Sequence, residues 1–491
     1  MKDKMESFVQ TKVNYLAIQE DGTVPDVVTM ISLKAPTMEM TDREPVRIVA
    51  VIDVSGSMND GKLDLVKASL SFILEQLTSK DSLGVVKFGS NVETVLSLTS
   101  MDERGKLKAK NALEKVRVNG STNLSGGLLE GLSMIQKALA KTPKRHTLML
   151  FTDGVANRGI CTIPEIKCAA KAYVQDQKDL YQIFTFGYGT DHDLGMLKAI
   201  TEVGEDGKYH FIENHESIGP QFAECLGGML SLVVQNATIT ILPKANMRIK
   251  KVWGKIEEGE AEGTKPITVR VGDLYSEQQK DILCLVGVGL EEMAEGDVVE
   301  ILDCVVSYFD LMEQRPVSIE LSSRLECLSG EAILNPSVCM QLHRVMTADA
   351  MALALSTAKR DLVAARLIIA DTIEILTKEC FADDDLTRDL IEDLQKCLYN
   401  MRSREKYSKG GEYNLYSLGS SHATQRSTRY TTGVQNEMVE KIRESEHYQN
   451  IIPSRTPTDR VSEYSDGSSI RANVVNSLSS SKREKYSKSR H

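Results

Sequence analysis

At roughly 100 to 200 residues per domain, a chain of 491 residues exceeds what one hydrophobic core serves, so two or three domains are expected. A hydrophobic content of 41%, a charged content of 26% and only 12 prolines exclude a Pro-rich scaffold and fit a soluble folded body. The net charge of −10 is uneven: residues 401–491 hold 16 Lys and Arg against 10 Asp and Glu, which leaves −16 on the rest and argues against general affinity for nucleic-acid backbone.

In chain order, SFVQTKVNYLAIQEDGTVPDVVTMISLKAP alternates apolar and polar residues and reads as β-structure over 1–45, with a turn expected at Glu20-Asp21-Gly22. From residue 46 the rhythm changes. VRIVAVIDV reads as a buried parallel strand, and KLDLVKASLSFILEQL as a crossover helix. LGVVKF is the next strand and VETVLSL an antiparallel edge strand. Two helices follow, then HTLMLFTD, YQIFTFGYG and KYHFIE as strands, each with a helix-like segment after it. Strands alternating with helices predict a doubly wound, mostly parallel α/β sheet over 46–233.

Period-2 alternation returns over 234–334, in VVQNATITILP, MRIKKVWGKI, KPITVRVGDL, KDILCLVGVGL and DVVEILDCVVSYFDL, and predicts an antiparallel β layer. The first 45 residues are expected to pair with strands from 235 to 320, which places the α/β domain as an insertion in a β-sandwich. A helical region is expected over 335–402. Residues 403–491, rich in Ser, Tyr, Arg and Thr, are expected to be disordered apart from a short helix at VQNEMVEKIRE.

Nine scattered cysteines without a C-x-x-C pair argue against structural zinc and a disulfide framework. The first residues show no signal-peptide pattern, and no run of about 18 apolar residues occurs, so the expected location is a reducing cytoplasm. The chemistry concentrates in IDVSGSM, where Asp53, Ser55 and Ser57 follow the first α/β strand directly. Open α/β sheets bind ligands at the carboxyl ends of their strands. Gly56 permits a tight turn there, and the i, i+2, i+4 spacing lets side-chain oxygens converge. Thr122 in NGSTN and Asp153 at the end of LMLFTDG are expected at the same edge. Taken singly these residues suit turns and caps. Together they form an oxygen-only set that selects a hard cation, Mg2+ with Mn2+ or Ca2+ as substitutes.

The alternatives fit less well. An aspartic-protease motif needs Gly directly after Asp-Ser/Thr, and no Ser-His-Asp or Cys-His arrangement can be argued, so no catalytic residue is assigned. GTDHD, with Asp191, His192 and Asp193, reads as a helix cap.

The segments DVSGSM, NGSTNLSGGL, LMLFTDG and TFGYGTDHD, in that order, resemble the von Willebrand factor type A domain. The resemblance implies a metal-ion-dependent adhesion site with Asp53, Ser55, Ser57, Thr122 and Asp153 as ligands. Ser121 departs from the Gly that often precedes this Thr. The flanking regions and the tail SREKYSKGGEYNLYSLGSSHATQRSTRY are similar to plant A-domain proteins, many of which carry a RING finger and act as ubiquitin ligases. No Cys/His array of zinc spacing precedes Asp53, so ligase chemistry is not carried over. The expected function is metal-dependent binding of a protein partner that offers Asp or Glu. The alternative is a RING-less scaffold or adaptor associated with ubiquitin ligases.

Overall fold

The structure is a computed structural model that describes residues 9–13, 26–39, 43–59, 61–175, 177–213, 215–260, 262–289, 296–326, 334–426, 429–445 and 449. The turn expected at Glu20-Asp21-Gly22 lies outside them.

The first two strands, β1 (Val9–Val13) and β2 (Val27–Lys34), pair antiparallel, and β2 then pairs with β13 (Gln279–Val288), Val27 lying opposite Val286 and Lys34 opposite Gln279. A segment before the α/β domain is thus hydrogen-bonded to one that follows it by more than 200 residues. With β10 (Met247–Trp253) they form a four-stranded sheet in the order β1-β2-β13-β10. Opposite it lies a sheet of β11 (Lys255–Glu258), β12 (Ile267–Tyr275), β9 (Leu232–Pro243), β14 (Val298–Asp310) and β15 (Arg315–Glu326), in that order. Alternation along the strands turns one apolar face of each sheet inward. Val27, Ile31 and Leu33 of the first sheet and Ile239, Ile241 and Val306 of the second share one core.

Between β2 and β9 stands a six-stranded sheet in the order β5 (Val92–Ser100), β4 (Ser82–Phe88), β3 (Arg47–Asp53), β6 (His146–Thr152), β7 (Tyr181–Tyr188), β8 (Tyr209–Ile212). All pairings are parallel except that of β5 with β4. Helices α1 (Lys62–Gln76), α2 (Glu103–Glu114), α3 (Leu124–Leu139), α4 (Ile163–Val174), α5 (Leu194–Thr201) and α6 (His215–Leu230) accompany it. Their cover explains why β6 and β7 are buried along their whole length. The order 5-4-3 runs one way from the centre and 6-7-8 the other, so the strand order reverses between β3 and β6. That junction is where an open α/β sheet leaves a crevice.

The region expected to be helical divides into α7 (Pro336–Ala358), α8 (Leu362–Lys378) and α9 (Asp385–Asn400). The apolar run from Val338 to Lys378 reads as continuous, but Asp361 stops it by accepting from Val363 N and Ala364 N as the cap of a new helix. A larger difference concerns residues 403–426, which were expected to be disordered yet form a turn of helix at Arg404–Lys406 and then α10 (Glu412–Thr424), while the short helix expected at VQNEMVEKIRE is α11 (Gly433–Glu444). Tyr407, Tyr413, Leu415, Met438 and Ile442 are buried there, so a few well-placed large side chains do what a long apolar run was expected to do. α11 begins with a capping box between Thr432 and Gln435, and it lies so close to α6 that a Cβ at Gly227 would meet Gln435 Cα at 2.8 Å.

Candidate metal centre

Asp53 is the last residue of β3, and Asp153 follows the last residue of β6, so the two carboxylates stand on either side of the strand-order reversal. Ser55 and Ser57 occupy the loop after β3, which closes in a short 3-10 turn, Gly56–Met58. Thr122 comes from the loop between α2 and α3. Three backbone-donated bonds tie that loop to its neighbours: Asn119 N to Val54 O at 2.5 Å, Gly56 N to Gly120 O at 3.0 Å and Ser121 N to Ser90 Oγ at 3.0 Å. The same loop feeds α3, where Asn123 caps the helix by accepting from Gly126 N.

Several of these oxygens lie close together. Ser57 Oγ donates to Asp153 Oδ1 at 2.6 Å and lies 3.1 Å from Ser55 Oγ. The Thr122 and Ser57 hydroxyls face a common point, the position a Cβ on Gly154 would take, at 3.4 and 3.6 Å from it. Asp53 and Asp153 are fully buried, Ser55 and Thr122 are buried, and Ser57 is exposed at the mouth. Asp53 accepts from Ser55 N at 2.8 Å and from the Thr152 hydroxyl at 2.5 Å. Burial pushes its carboxyl up to about 6, against the pull of those hydrogen bonds, and the Asp153 charge adds to the rise.

Three supporting residues escaped the sequence reading. Thr152 holds Asp53. Lys62, in the first turn of α1, places its ammonium 2.5 Å from Asp153 Oδ2 and 3.3 Å from Ser57 O. Asn157 accepts from Thr122 N through Oδ1 at 2.9 Å, while its own N and that of Arg158 donate to Thr122 O. Each lies within five residues of a candidate ligand, so proximity was the available signal. Which neighbour turns inward depends on loop geometry that spacing does not encode.

Residues 48–223 match the family profile of the von Willebrand factor type A domain, and all five clustered oxygen donors lie inside that range. The chain carries a von Willebrand factor type A (VWA) domain. Over 175 residues it is 30% identical to bovine inter-alpha-trypsin inhibitor heavy chain H1, covering 35% of this chain and 19% of that protein. Over 252 residues it is 25% identical to the E3 ubiquitin-protein ligase WAV3 of Arabidopsis thaliana, covering 50% of this chain and 31% of the ligase. The chain thus spans less than a third of either relative. Among solved structures, the von Willebrand factor type A protein of Catenulispora acidiphila superposes with a TM-score of 0.58 at 17% identity, covering 79% of this chain and 89% of that one. The ArnB paralog VWA2 of Sulfolobus acidocaldarius gives 0.51 at 12%, covering 86% and 100%. These two similarities concern fold and extend beyond the VWA domain. Domains of this type mediate protein–protein interactions.

The donor set of the VWA domain fits a hard divalent cation. Two buried carboxylates stand side by side with Lys62 as the ion-pair partner of one, and the Asp53 carboxylate accepts from neutral groups. A buried carboxylate without a cation is costly, and a divalent ion offsets both charges. Two carboxylates with three hydroxyls make an oxygen-only donor set, the kind that suits a hard cation. GTDHD behaves as a cap: Asp193 accepts from Met196 N at the start of α5, and His192 Nε2 sits 2.7 Å from the Tyr209 hydroxyl. His146 and His343 are likewise bound to neighbours, Lys144 O and Thr387 Oγ1.

Proposed function

We propose that the VWA domain holds a divalent cation, Mg2+ with Mn2+ or Ca2+ as substitutes, between Asp53, Ser55, Ser57, Thr122 and Asp153, and thereby binds an Asp or Glu of a protein partner. One observation carries the reading: three separate loops deliver hydroxyl and carboxylate oxygens to one point at the carboxyl edge, with Ser57 Oγ joined to Asp153 and Ser55. When bound, the cation supplies Lewis acidity for an outside carboxylate. The chain's own residues do the rest. Asp53 and Asp153 supply negative charge, Thr152 and Lys62 fix the two carboxylates, and Asn157 fixes the Thr122 loop. The role is binding rather than catalysis. The cytoplasmic location belongs to this proposal, and among the described residues no helix is long and apolar enough to cross a membrane.

The test is Mn2+ binding to the full chain, followed by paramagnetic resonance. Saturable binding displaced by Mg2+ is expected, with loss in Asp53→Ala. No saturable binding, or unaltered binding by Asp53→Ala, rejects the proposal.

A second reading has one observation in its favour. The similarity to the WAV3 ligase spans 252 residues, more than the VWA domain alone. On this reading the chain is an adaptor that works with ubiquitin ligases, and α8, which exposes Val363 and Leu367, is the surface available for it. Ligase components captured by the chain and lost on Val363→Asp/Leu367→Asp, but retained by Asp53→Ala, would favour the adaptor.

A further inference from the structure

The helix that leads into the Thr122 loop has the opposite character to the rest of the molecule. α2 carries Arg104, Lys106, Lys108 and Lys110, and the turn after it adds Lys115 and Arg117. The single acid between 104 and 117 is Glu114, so this stretch is +5 in a chain whose first 400 residues carry −16.

Its arrangement differs from an ordinary solvated helix face. On the later helices four exposed lysines pair with a glutamate one turn earlier: Lys378 with Glu374, Lys396 with Glu392, Lys409 with Glu405 and Lys441 with Glu437. In α2 the residue one turn before Lys108 is Arg104, and the one before Lys110 is Lys106. Like charges at this spacing destabilise a helix. Arg104, Lys108, Lys110 and Lys115 are exposed, and none of them forms an ion pair among the described residues. The positive field reaches the neighbouring helix: the Lys67 ammonium on α1 is held below its ordinary pKa by burial first and then by the Arg117 charge.

The stripe is continuous and leads to the metal edge. Arg104, Lys108, Asn111 and Lys115 stand at i, i+4, i+7 and i+11, one face of the helix, over about 16 Å. Leu107 lies beside them with 61% of its surface exposed. Past Lys115 the chain reaches Asn119 and Gly120, which bond the backbone of the Asp53–Ser57 loop.

We propose that the outer face of α2 forms the second half of the partner surface, taking an extended acidic protein segment of which about five residues cover the stripe and seat an apolar side chain on Leu107, while a residue beyond them directs one carboxylate to the cation. The proposal rests on the metal-dependent reading above for that last contact. A short acidic segment covers the stripe alone. A duplex or an anionic membrane would also press against a body of strongly negative charge, which disfavours both.

The experiment is fluorescence anisotropy of a labelled peptide of glutamates around one central leucine, titrated with the full chain in Mg2+ and in EDTA. Arg104→Gln/Lys108→Gln/Lys115→Gln should weaken binding about tenfold in both buffers, with the control Lys137→Gln/Lys141→Gln within about twofold. The triple variant relieves like-charge repulsion, so its circular dichroism should match or exceed wild-type helicity. Asp53→Ala should remove the gain given by Mg2+ and keep the stripe-dependent affinity. If Mg2+ adds nothing while the triple variant still loses binding, the metal reading fails and the stripe stands. Absence of wild-type binding, equal binding by the triple variant, or tighter stripe-dependent binding of duplex DNA or phosphatidylserine vesicles overturns the proposal.

Discussion

Arg426 tests whether the C-terminal segment is part of the fold. Its guanidinium, nearly buried, donates to Asp206 O through one terminal nitrogen and to Asp273 O through the other, each at 3.0 Å, and lies 5.1 Å from the centre of the Tyr275 ring. Asp206 belongs to the VWA domain and Asp273 to β12 of the sandwich, so one side chain from beyond α10 spans both. Arg426→Met keeps most of the volume and removes the donors. Asp206 retains Arg270 at 3.1 Å, so the loss falls on two buried carbonyls, at about 1–3 kcal/mol each. Recovered side-chain freedom and the avoided burial of a charge offset part of it, leaving about 3 kcal/mol. At slopes of roughly 1–3 kcal/mol per molar urea, the midpoint should fall by about 1–3 M. Trp253, the sole tryptophan, stands at the end of β10 with its indole N–H on Asp349 of α7, so its fluorescence reports the junction of sandwich and helical region. Circular dichroism reports the whole chain, and both signals should move together. A midpoint shift below about 0.3 M by either probe would show that the segment after α10 contributes nothing to stability.

Two further outcomes follow from single contacts. Thr152→Val removes the hydroxyl that donates to Asp53 at 2.5 Å while preserving shape, and should weaken Mn2+ binding by roughly 10- to 100-fold with little change in thermal midpoint; unchanged affinity would show that Thr152 does not orient Asp53 for the metal. Burial works to raise the Asp393 carboxyl, but hydrogen bonds from His422 and Arg429 and their charges outweigh it and hold it at about 2, below the ordinary 3.8. A depressed carboxyl stabilises the fold fully above about pH 4 and loses that contribution as the pH falls toward 2, on the order of 2 kcal/mol in all. Urea midpoints measured across that interval should therefore drop less steeply in Asp393→Asn than in the native chain, and parallel curves would refute the assignment.

The α/β sheet was legible because each buried strand is a short run of Val, Ile, Leu and Phe followed by a helix of separate periodicity, and burial on both faces demands that composition. The sandwich strands were legible through alternation, and pairing of the first segment with β13 followed from their shared character. β15 escaped notice although Val317, Ile319 and Leu325 alternate with exposed residues, since its polar face dilutes the apolar signal. The five oxygen donors converge because D-x-S-x-S, a loop threonine and a strand-end aspartate all fall at carboxyl ends flanking one reversal in strand order. Their supports were not legible: Lys62 and Asn157 act through the path of the chain after the ligand, and a residue's identity does not reveal where a loop turns it.

Apart from the helix expected at VQNEMVEKIRE, composition misjudged residues 403–445 because it counts apolar residues and overlooks amphipathic ones. Tyr413 buries its ring against His192 and Phe211 while its hydroxyl shares one proton between Thr190 O and His192 O, both at 2.9 Å. Gln425 exchanges bonds with the backbone of Asp281, accepting from its N at 2.9 Å and donating to its O at 3.0 Å. Gln435 donates to Glu224 O on α6 at 3.0 Å and completes the cap of its own helix with Thr432. Each of these side chains is polar, yet each hydrogen-bonds a backbone group of the folded body, which is worth as much as burying a methylene. The T-x-x-Q spacing at Thr432 was readable as a helix start and outweighs the bulk composition around it. The segment grips the VWA domain in three places, at the loop after β7 through Tyr413, at Asp206 through Arg426 and at α6 through Gln435, so the structural unit is the VWA domain together with residues 404–445, and a fragment ending at α6 would lack all three contacts.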